Sequence, residues 1–406
     1  MENDCKTVLL NFFYTKENLN IFVVRKDWKE RNIFDTKPII LKSKINVKNI
    51  EYVVDRLAKD VSITRRRKEV NDISLDFFYE LGTKIFTDEL YQLIKGYDGI
   101  YFVPFKKLHN LPLHAMLLPN GNTVIDEYMI SYLPSASSIQ LIRYQNNNIV
   151  DSPREALVVG VDGSNDDPLF LTEATQVTNQ LDHFGIKTCI LKDRAANKKE
   201  VLNNLKNKNI VHFSTHGHFP ELFPENLETS QKLDELINNV KNKDLVFSKG
   251  IPQIPEASVS SGIELYYTGT REILTVDEIK NLSSNIDGTQ IEILVSTACL
   301  VGRSENRLGD ELVGVTRSLL YLGVCNIISA MFKVYKKVTV PRTFLGKKSK
   351  TSTPSFARFY YLWLEEKMSK SRAFQKYIQE IKSKDNSIDY SHPFFWFSYT
   401  YTGILE

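Results

Sequence analysis

Two kinds of hydrophobic pattern divide this chain. In the first, apolar and polar positions alternate: Thr7–Tyr14, Leu19–Val24 and Pro38–Leu41 read as three successive strands of a β-meander. Helical periodicity follows over about Asn49–Lys59 and Leu75–Lys95. The run Gly99-Ile-Tyr-Phe-Val-Pro104 is a strand, as is Ile130–Pro134, and Ser135-Ala-Ser-Ser138 opens a helix through an N-cap serine. A polar stretch, Asn146–Pro153, marks a boundary. Beyond it the apolar runs are continuous and alternate with helical segments, which is the pattern of a parallel sheet covered on both faces. The predicted strands are Ala156–Val161, Ile186–Leu191, Ile210–Ser214, Ile291–Ser296 and Val324–Ala330. The predicted helices are Glu173–Phe184, Lys198–Lys206, Val276–Asn281, Glu311–Leu322 and one long helix over Ser355–Lys382, before an aromatic segment Pro393–Tyr401. Two halves are therefore expected, 1–150 and 151–406. The second carries long polar insertions at Pro220–Ser261 and Val334–Pro354, and such loops commonly shape a site or hold a regulator.

Composition narrows the class without fixing it. The 406 residues are 42% hydrophobic and 25% charged, ordinary for a globular protein. A formal charge of +3 is too weak to make nucleic acid the expected partner. No run approaches the ~20 apolar residues that span a bilayer, and the N-terminal residues lack the basic and apolar regions of a secretory signal. Cys5, Cys189, Cys299 and Cys325 fit neither a disulfide framework nor a Cys-x-x-Cys metal site. A cytoplasmic, reduced setting is the expectation, and it keeps a thiol available.

Candidate chemistry lies at the ends of two apolar runs. Asn209-Ile-Val-His-Phe-Ser-Thr-His216-Gly-His218 ends in imidazoles, and Ile291-Glu-Ile-Leu-Val-Ser-Thr-Ala-Cys299 ends in a thiol. In an open α/β sheet, ligands bind beyond the carboxyl ends of the strands. If the two strands are neighbours, His216 can act as the base that raises the thiolate fraction of Cys299. The backbone N–H groups of Gly217 and Cys299 are then the candidate oxyanion donors. Asp162, at the end of the first strand of the second half, reads either as a turn residue or as the anion of a specificity pocket; Asp310 and Glu311 read either as favourable charges in a helix's first turn or as additions to that pocket. Cys5, Cys189 and Cys325 read as inert core thiols. A metal set built from His212, His216 and His218 is a rival, but His212 lies inside its strand and no carboxylate follows closely, so neither a metal nor any other cofactor is expected.

These residues resemble the CHAT family of caspase-like cysteine peptidases, which is related to caspases, separases and gingipains. The likeness rests on Val-His-Phe-Ser-Thr-His-Gly-His-Phe, on Leu-Val-Ser-Thr-Ala-Cys-Leu-Val-Gly, and on Gly-Asp-Glu-Leu-Val-Gly-Val-Thr-Arg-Ser-Leu-Leu-Tyr-Leu-Gly-Val after it. Tyr101–Ala115, Tyr132–Ser138 and His392–Tyr399 add further matching landmarks. The resemblance implies a three-layer α/β/α sandwich with a mostly parallel sheet, preceded by a degenerate, non-catalytic caspase-like half. It implies a His216–Cys299 dyad and an endopeptidase acting on a protein substrate. Asp162 stands where caspases carry an arginine, which implies cleavage after a basic P1 residue. Many relatives carry TPR repeats; none is visible here, so an activator or inhibitor would be a separate chain. A place in bacterial defence or cell death also follows from the resemblance. The alternative from another class is a catalytically silent scaffold of the same fold.

Overall fold

The structure is a computed structural model. It describes residues 5–25, 37–43, 45–67, 73–149, 153–162, 169–218, 262–266, 272–283, 291–299, 305–306, 312–332, 337–339, 350–352, 355–382 and 393–406. The first half is a five-stranded sheet of β1 (Thr7–Tyr14), β2 (Leu19–Arg25), β3 (Ile39–Ser43), β4 (Gly99–Val103) and β5 (Met129–Tyr132), in the order β3-β2-β1-β4-β5. Alternate residues of β1 and β2 are buried, as the period-two pattern requires. The meander β1-β2-β3 is antiparallel, whereas β4 runs parallel to both β1 and β5.

The second half holds β6 (Glu155–Gly160), β7 (Lys187–Lys192), β8 (Ile210–Ser214), β9 (Gly217–His218), β10 (Gly262–Leu265), β11 (Glu272–Thr275), β12 (Ile293–Ser296), β13 (Glu305–Asn306), β14 (Leu312–Val313), β15 (Ile327–Ala330), β16 (Lys337–Thr339), β17 (Lys350–Ser352) and β18 (Tyr399–Thr402). Its main sheet has the order β18-β15-β12-β8-β6-β7. Every pairing is parallel except β15 with β18. β8, β12 and β15 are buried at every position, which explains their uninterrupted apolar runs. The chain steps from β6 out to β7 and then back past β6 to β8. With right-handed crossovers, this reversal puts the Leu169–His183 helix on one face and the Lys198–Leu205, Val276–Ser283 and Val315–Leu322 helices on the other. The result is the three-layer, mostly parallel α/β sandwich expected.

Several boundaries differ from expectation for local reasons. The helix expected over Leu75–Lys95 is two helices, Ile73–Ile85 and Asp88–Ile94. Thr87 caps the second by accepting from the Leu90 N–H at 3.3 Å. The long helix expected over Ser355–Lys382 breaks between Ala357–Leu364 and Lys370–Lys382, where Lys367 has φ of 54°. The helix expected from Glu311 begins at Val315, after the short strand β14. Ser137 occupies the N-cap position before Ser138–Asn147 but makes no capping hydrogen bond; its hydroxyl pairs with that of Ser135 at 2.9 Å instead.

The two sheets meet at a seam. The aromatic segment near residue 400 becomes β18, and the residues around it reach the first half. The Ser131 hydroxyl donates to the Gly403 carbonyl at 2.7 Å and accepts from the Gly403 N–H at 3.0 Å, while the Leu405 N–H donates to the Tyr101 hydroxyl at 2.9 Å. One continuous cluster of buried side chains runs through both halves. The insertion at 220–261 lies outside the described residues. Of the insertion at 334–354, only β16 and β17 are described, and they pair antiparallel.

Candidate active site

The register of two parallel strands builds the site. β8 pairs with β12 so that Ile210 lies opposite Ile293 and Phe213 opposite Ser296. The Thr297 N–H donates to the Phe213 carbonyl at 2.9 Å, which carries the ladder one step further. Continued beyond the Phe213–Ser296 pair, this register brings the His216 and Cys299 segments together, with Gly217 directly against the Cys299 carbonyl. Ser214, Thr215, Thr297 and Ala298 are fully buried, whereas His216 and Cys299 are partly exposed. Both reactive side chains thus come at the point where the strands leave the core, at the carboxyl edge of the sheet.

Close backbone contact fixes this arrangement. A Cβ placed on Gly217 would fall on the carbonyl oxygen of Cys299, so glycine alone permits the approach. The small sheet β11-β10-β9 holds the His216 segment from the other side. The Glu264 N–H donates to the His216 carbonyl at 2.9 Å, and the Thr215 hydroxyl donates to the Glu264 carbonyl at 2.6 Å. A trans peptide points its C=O and N–H in opposite directions. Because the His216 carbonyl faces β10, the Gly217 N–H faces away from β10. The Phe170 ring packs edge-to-face on the His216 imidazole, with centroids 4.6 Å apart.

Asp162 explains why Phe170 is where it is. Its carboxylate is 4% exposed and accepts from the Phe170 N–H at 2.9 Å and the Leu171 N–H at 2.8 Å, while its own N–H donates to Asp193 Oδ1 at 3.2 Å. These bonds satisfy free N–H groups in the first turn of the Leu169–His183 helix. The residue expected either to turn the chain or to read substrate is a helix cap, and its carboxylate faces the helix. Asp310 and Glu311 lie outside the described residues.

Sequence reasoning gave Glu173 no role beyond starting a helix. Glu173 is in fact 7% exposed, one turn inside the Leu169–His183 helix and beneath both strands. Its Oε2 accepts from the Ser214 hydroxyl at 2.6 Å and the Thr297 hydroxyl at 3.0 Å; its Oε1 accepts from the Phe356 N–H at 3.4 Å. The only signal for it in the sequence is that Ser214 and Thr297 each stand two positions before a reactive residue, so that all four share one face of the sheet.

The remaining thiols and histidines serve other purposes. Burial pushes the Cys5 thiol up to about 11 and the Cys325 thiol up to about 12, which leaves almost no thiolate at neutral pH. Cys189 donates to Asn204 Oδ1 at 3.4 Å. His212 is fully buried, its Nδ1 is 3.3 Å from the Tyr360 hydroxyl, and its ring packs against Phe356. His218 lies on β9, 3.8 Å from Glu264. Among the described residues no three His, Cys, Asp or Glu side chains gather as a metal set.

An α/β sandwich with an imidazole and a thiol at the ends of adjacent parallel strands has the architecture of the caspase-like proteins. A family model described as the CHAT domain matches residues 79–404, and the chain belongs to that family. No curated protein matches. Among solved structures, two crystal structures of the Saccharomyces cerevisiae separase–securin complex resemble it. One has a TM-score of 0.50 at 9% identity over 98% of this chain, the other 0.49 at 10% over 99%. The chain spans 30% of the length of each matched chain, and at such identity the likeness concerns the fold, which is caspase-like. CHAT membership on this fold suggests a cysteine-protease-type function. Among the described residues no helix is long and apolar enough to cross a membrane.

Proposed function

We propose that this protein is a cysteine endopeptidase whose dyad is His216 and Cys299. The observation that carries the reading is the β8–β12 register, which brings together the segments that leave these strands at the carboxyl edge of the sheet, with Gly217 against the Cys299 carbonyl. The Cys299 thiolate attacks the scissile carbonyl, and His216 delivers a proton to the leaving amine. Water then hydrolyses the thioester with His216 as base. The N–H groups of Gly217 and Cys299 hold the oxyanion; the direction of the Gly217 N–H, away from β10, supports the first of these. The dyad needs no cofactor. Asp162 enters as the cap that fixes the helix carrying Phe170, and Phe170 in turn steadies His216. A basic P1 residue would have to share a carboxylate that already accepts two backbone hydrogen bonds. A separate regulatory chain fits this reading, since the separase structures are complexes with securin.

The test is hydrolysis of a positional P1 peptide library by the wild type and by Cys299→Ala, each with and without EDTA. Turnover that vanishes in the variant and ignores EDTA is the expected result. Turnover that survives Cys299→Ala, or that EDTA removes, overturns the dyad. Cleavage after Arg or Lys would return Asp162 to the substrate pocket.

A further inference from the structure

Glu173 has a geometry that a merely solvated or space-filling carboxylate does not need. Ser214 lies opposite Thr297 in the β8–β12 register, one step past the Phe213–Ser296 pair. Both hydroxyls converge on the same carboxylate oxygen, at 2.6 and 3.0 Å. The carboxylate therefore bridges the segment that leads into His216 and the segment that leads into Cys299, two residues before each. Its second oxygen takes the N–H of Phe356, at the start of the Ala357–Leu364 helix. Tyr360, Tyr377 and Tyr399 lie close enough that its negative charge adds to the burial that raises their hydroxyls well above the ordinary range. A charge held in so apolar a setting is expensive unless each oxygen is hydrogen-bonded. Here the donors come from three separate elements, which the carboxylate locks together.

We infer that Glu173 is a positioning residue that sets the spacing of the dyad by clipping β8 to β12 directly beneath it. The inference rests on the reading of His216 and Cys299 as a dyad. Two side chains at the loose ends of neighbouring strands can drift apart by splaying of the strands; a charge-assisted bridge across a buried pair two residues before them removes that freedom. Misplacement by about 1 Å costs on the order of a hundredfold in rate when two groups must act together. A partial loss of alignment is therefore visible in the reactivity of Cys299 itself, with no substrate required.

The variants are Glu173→Gln and the double variant Ser214→Ala/Thr297→Val. In Glu173→Gln the charge is lost and the amide nitrogen can at best donate back to the two hydroxyl oxygens, so charge-assisted bonds are replaced by weaker neutral ones. The double variant keeps the carboxylate but removes the clip, with little change in volume. Alkylation of each cysteine by iodoacetamide is followed by peptide mass spectrometry between about pH 5 and 7, the range in which an imidazole-paired thiolate stays reactive. Cys299 of the wild type is expected to react through this range and to lose that reactivity in His216→Ala. Both clip variants are expected to cut its rate about tenfold at the acid end, with Cys325 still protected. Combining them is expected to add no further loss. A general loosening of the fold would instead raise Cys325 labelling, and that pattern overturns the proposal. So do Cys299 rates within twofold of wild type in the clip variants while His216→Ala is slow; the dyad then stands and Glu173 is structural only. Equal rates in wild type and His216→Ala sink the dyad and the clip together. If Glu173→Gln does not fold, the double variant decides alone.

Discussion

The two sheets present the same kind of edge and put different things on it. In the second half, the segments leaving parallel β8 and β12 carry His216 and Cys299, two and three residues past the strand ends. In the first half, parallel β1 and β4 are paired through Asn11 and Val103, and two residues further on the same register brings Phe13 to Phe105, with ring centroids 4.6 Å apart. Beside that edge lies an open cleft of about 530 Å³, lined by Asn11, Phe13, Val103, Phe105, His109 and Pro134 among others. One edge thus carries an imidazole and a thiol, the other tilted hydrocarbon rings, prolines and an imidazole with no thiol among the lining residues. A parallel sheet supplies a place for chemistry; whether chemistry occurs there depends on very few side chains.

The sharpest way to break this comparison is to remove the nucleophile. Cys299→Ala is expected to cut peptide cleavage by about a thousandfold or more with the melting temperature unchanged; an active Cys299→Ala would make the two edges equivalent. Gly217→Ala is expected to come next. Its methyl must displace the Cys299 carbonyl, so cleavage should fall about a hundredfold, with about 1–3 kcal/mol of stability lost to overpacking, read by urea unfolding and steady-state kinetics together.

Histidines sharpen the contrast in a third way. His114 of the first half is fully buried, with Nδ1 2.9 Å from the Tyr132 hydroxyl, and burial, aided by the nearby Lys382 charge, lowers it to about 3. The unfolded chain binds the proton near pH 6.5 and the folded chain does not, so this residue opposes folding progressively as pH falls from about 6.5 towards 3. Its share approaches about 1.4 kcal/mol per pH unit in that window and vanishes above it. Unfolding free energies measured from pH 7 to 4.5 should fall less steeply in His114→Gln than in wild type; equal slopes would show that His114 is protonated in the folded state. The smallest effect is expected from Phe13→Ala. Phe13 is 45% exposed, so the change should cost about 1 kcal/mol through the lost ring contact and leave cleavage rates unaltered. A fall in cleavage would mean that the first half communicates with the site.

Much of this was legible because buried parallel strands write themselves as unbroken apolar runs. Ile210–Ser214 was read to the residue, and the reactive ends of its run and of the Ile291–Ser296 run were visible as the first polar chemistry after hydrocarbon. What escaped has three physical causes. Helix breaks at Thr87 and Lys367 depend on one cap and one left-handed residue, neither of which interrupts the apolar period. β10 and β11 are too short to show a period, and they matter because they clamp His216. Asp162 read as a turn residue or a pocket anion and Glu173 as an ordinary helix start; only tertiary structure shows that one caps the helix beside His216 and the other sits under two strands. Local pattern records which residues are buried, but not which hydroxyls and N–H groups their carboxylates must satisfy.

The seam at β18 bears on how the molecule becomes whole. Its bonds join Ser131 to Gly403 and Tyr101 to Leu405, partners separated by 272 and 304 positions. Either sheet can pair most of its strands through shorter loops, but the seam joins residues that far apart in the chain. Closing loops of that size is slow, because chain entropy is lost before the contact is gained. The seam is therefore the expected last step of folding. The segment that closes it also carries β18, which covers the outer edge of β15 two strands away from β8.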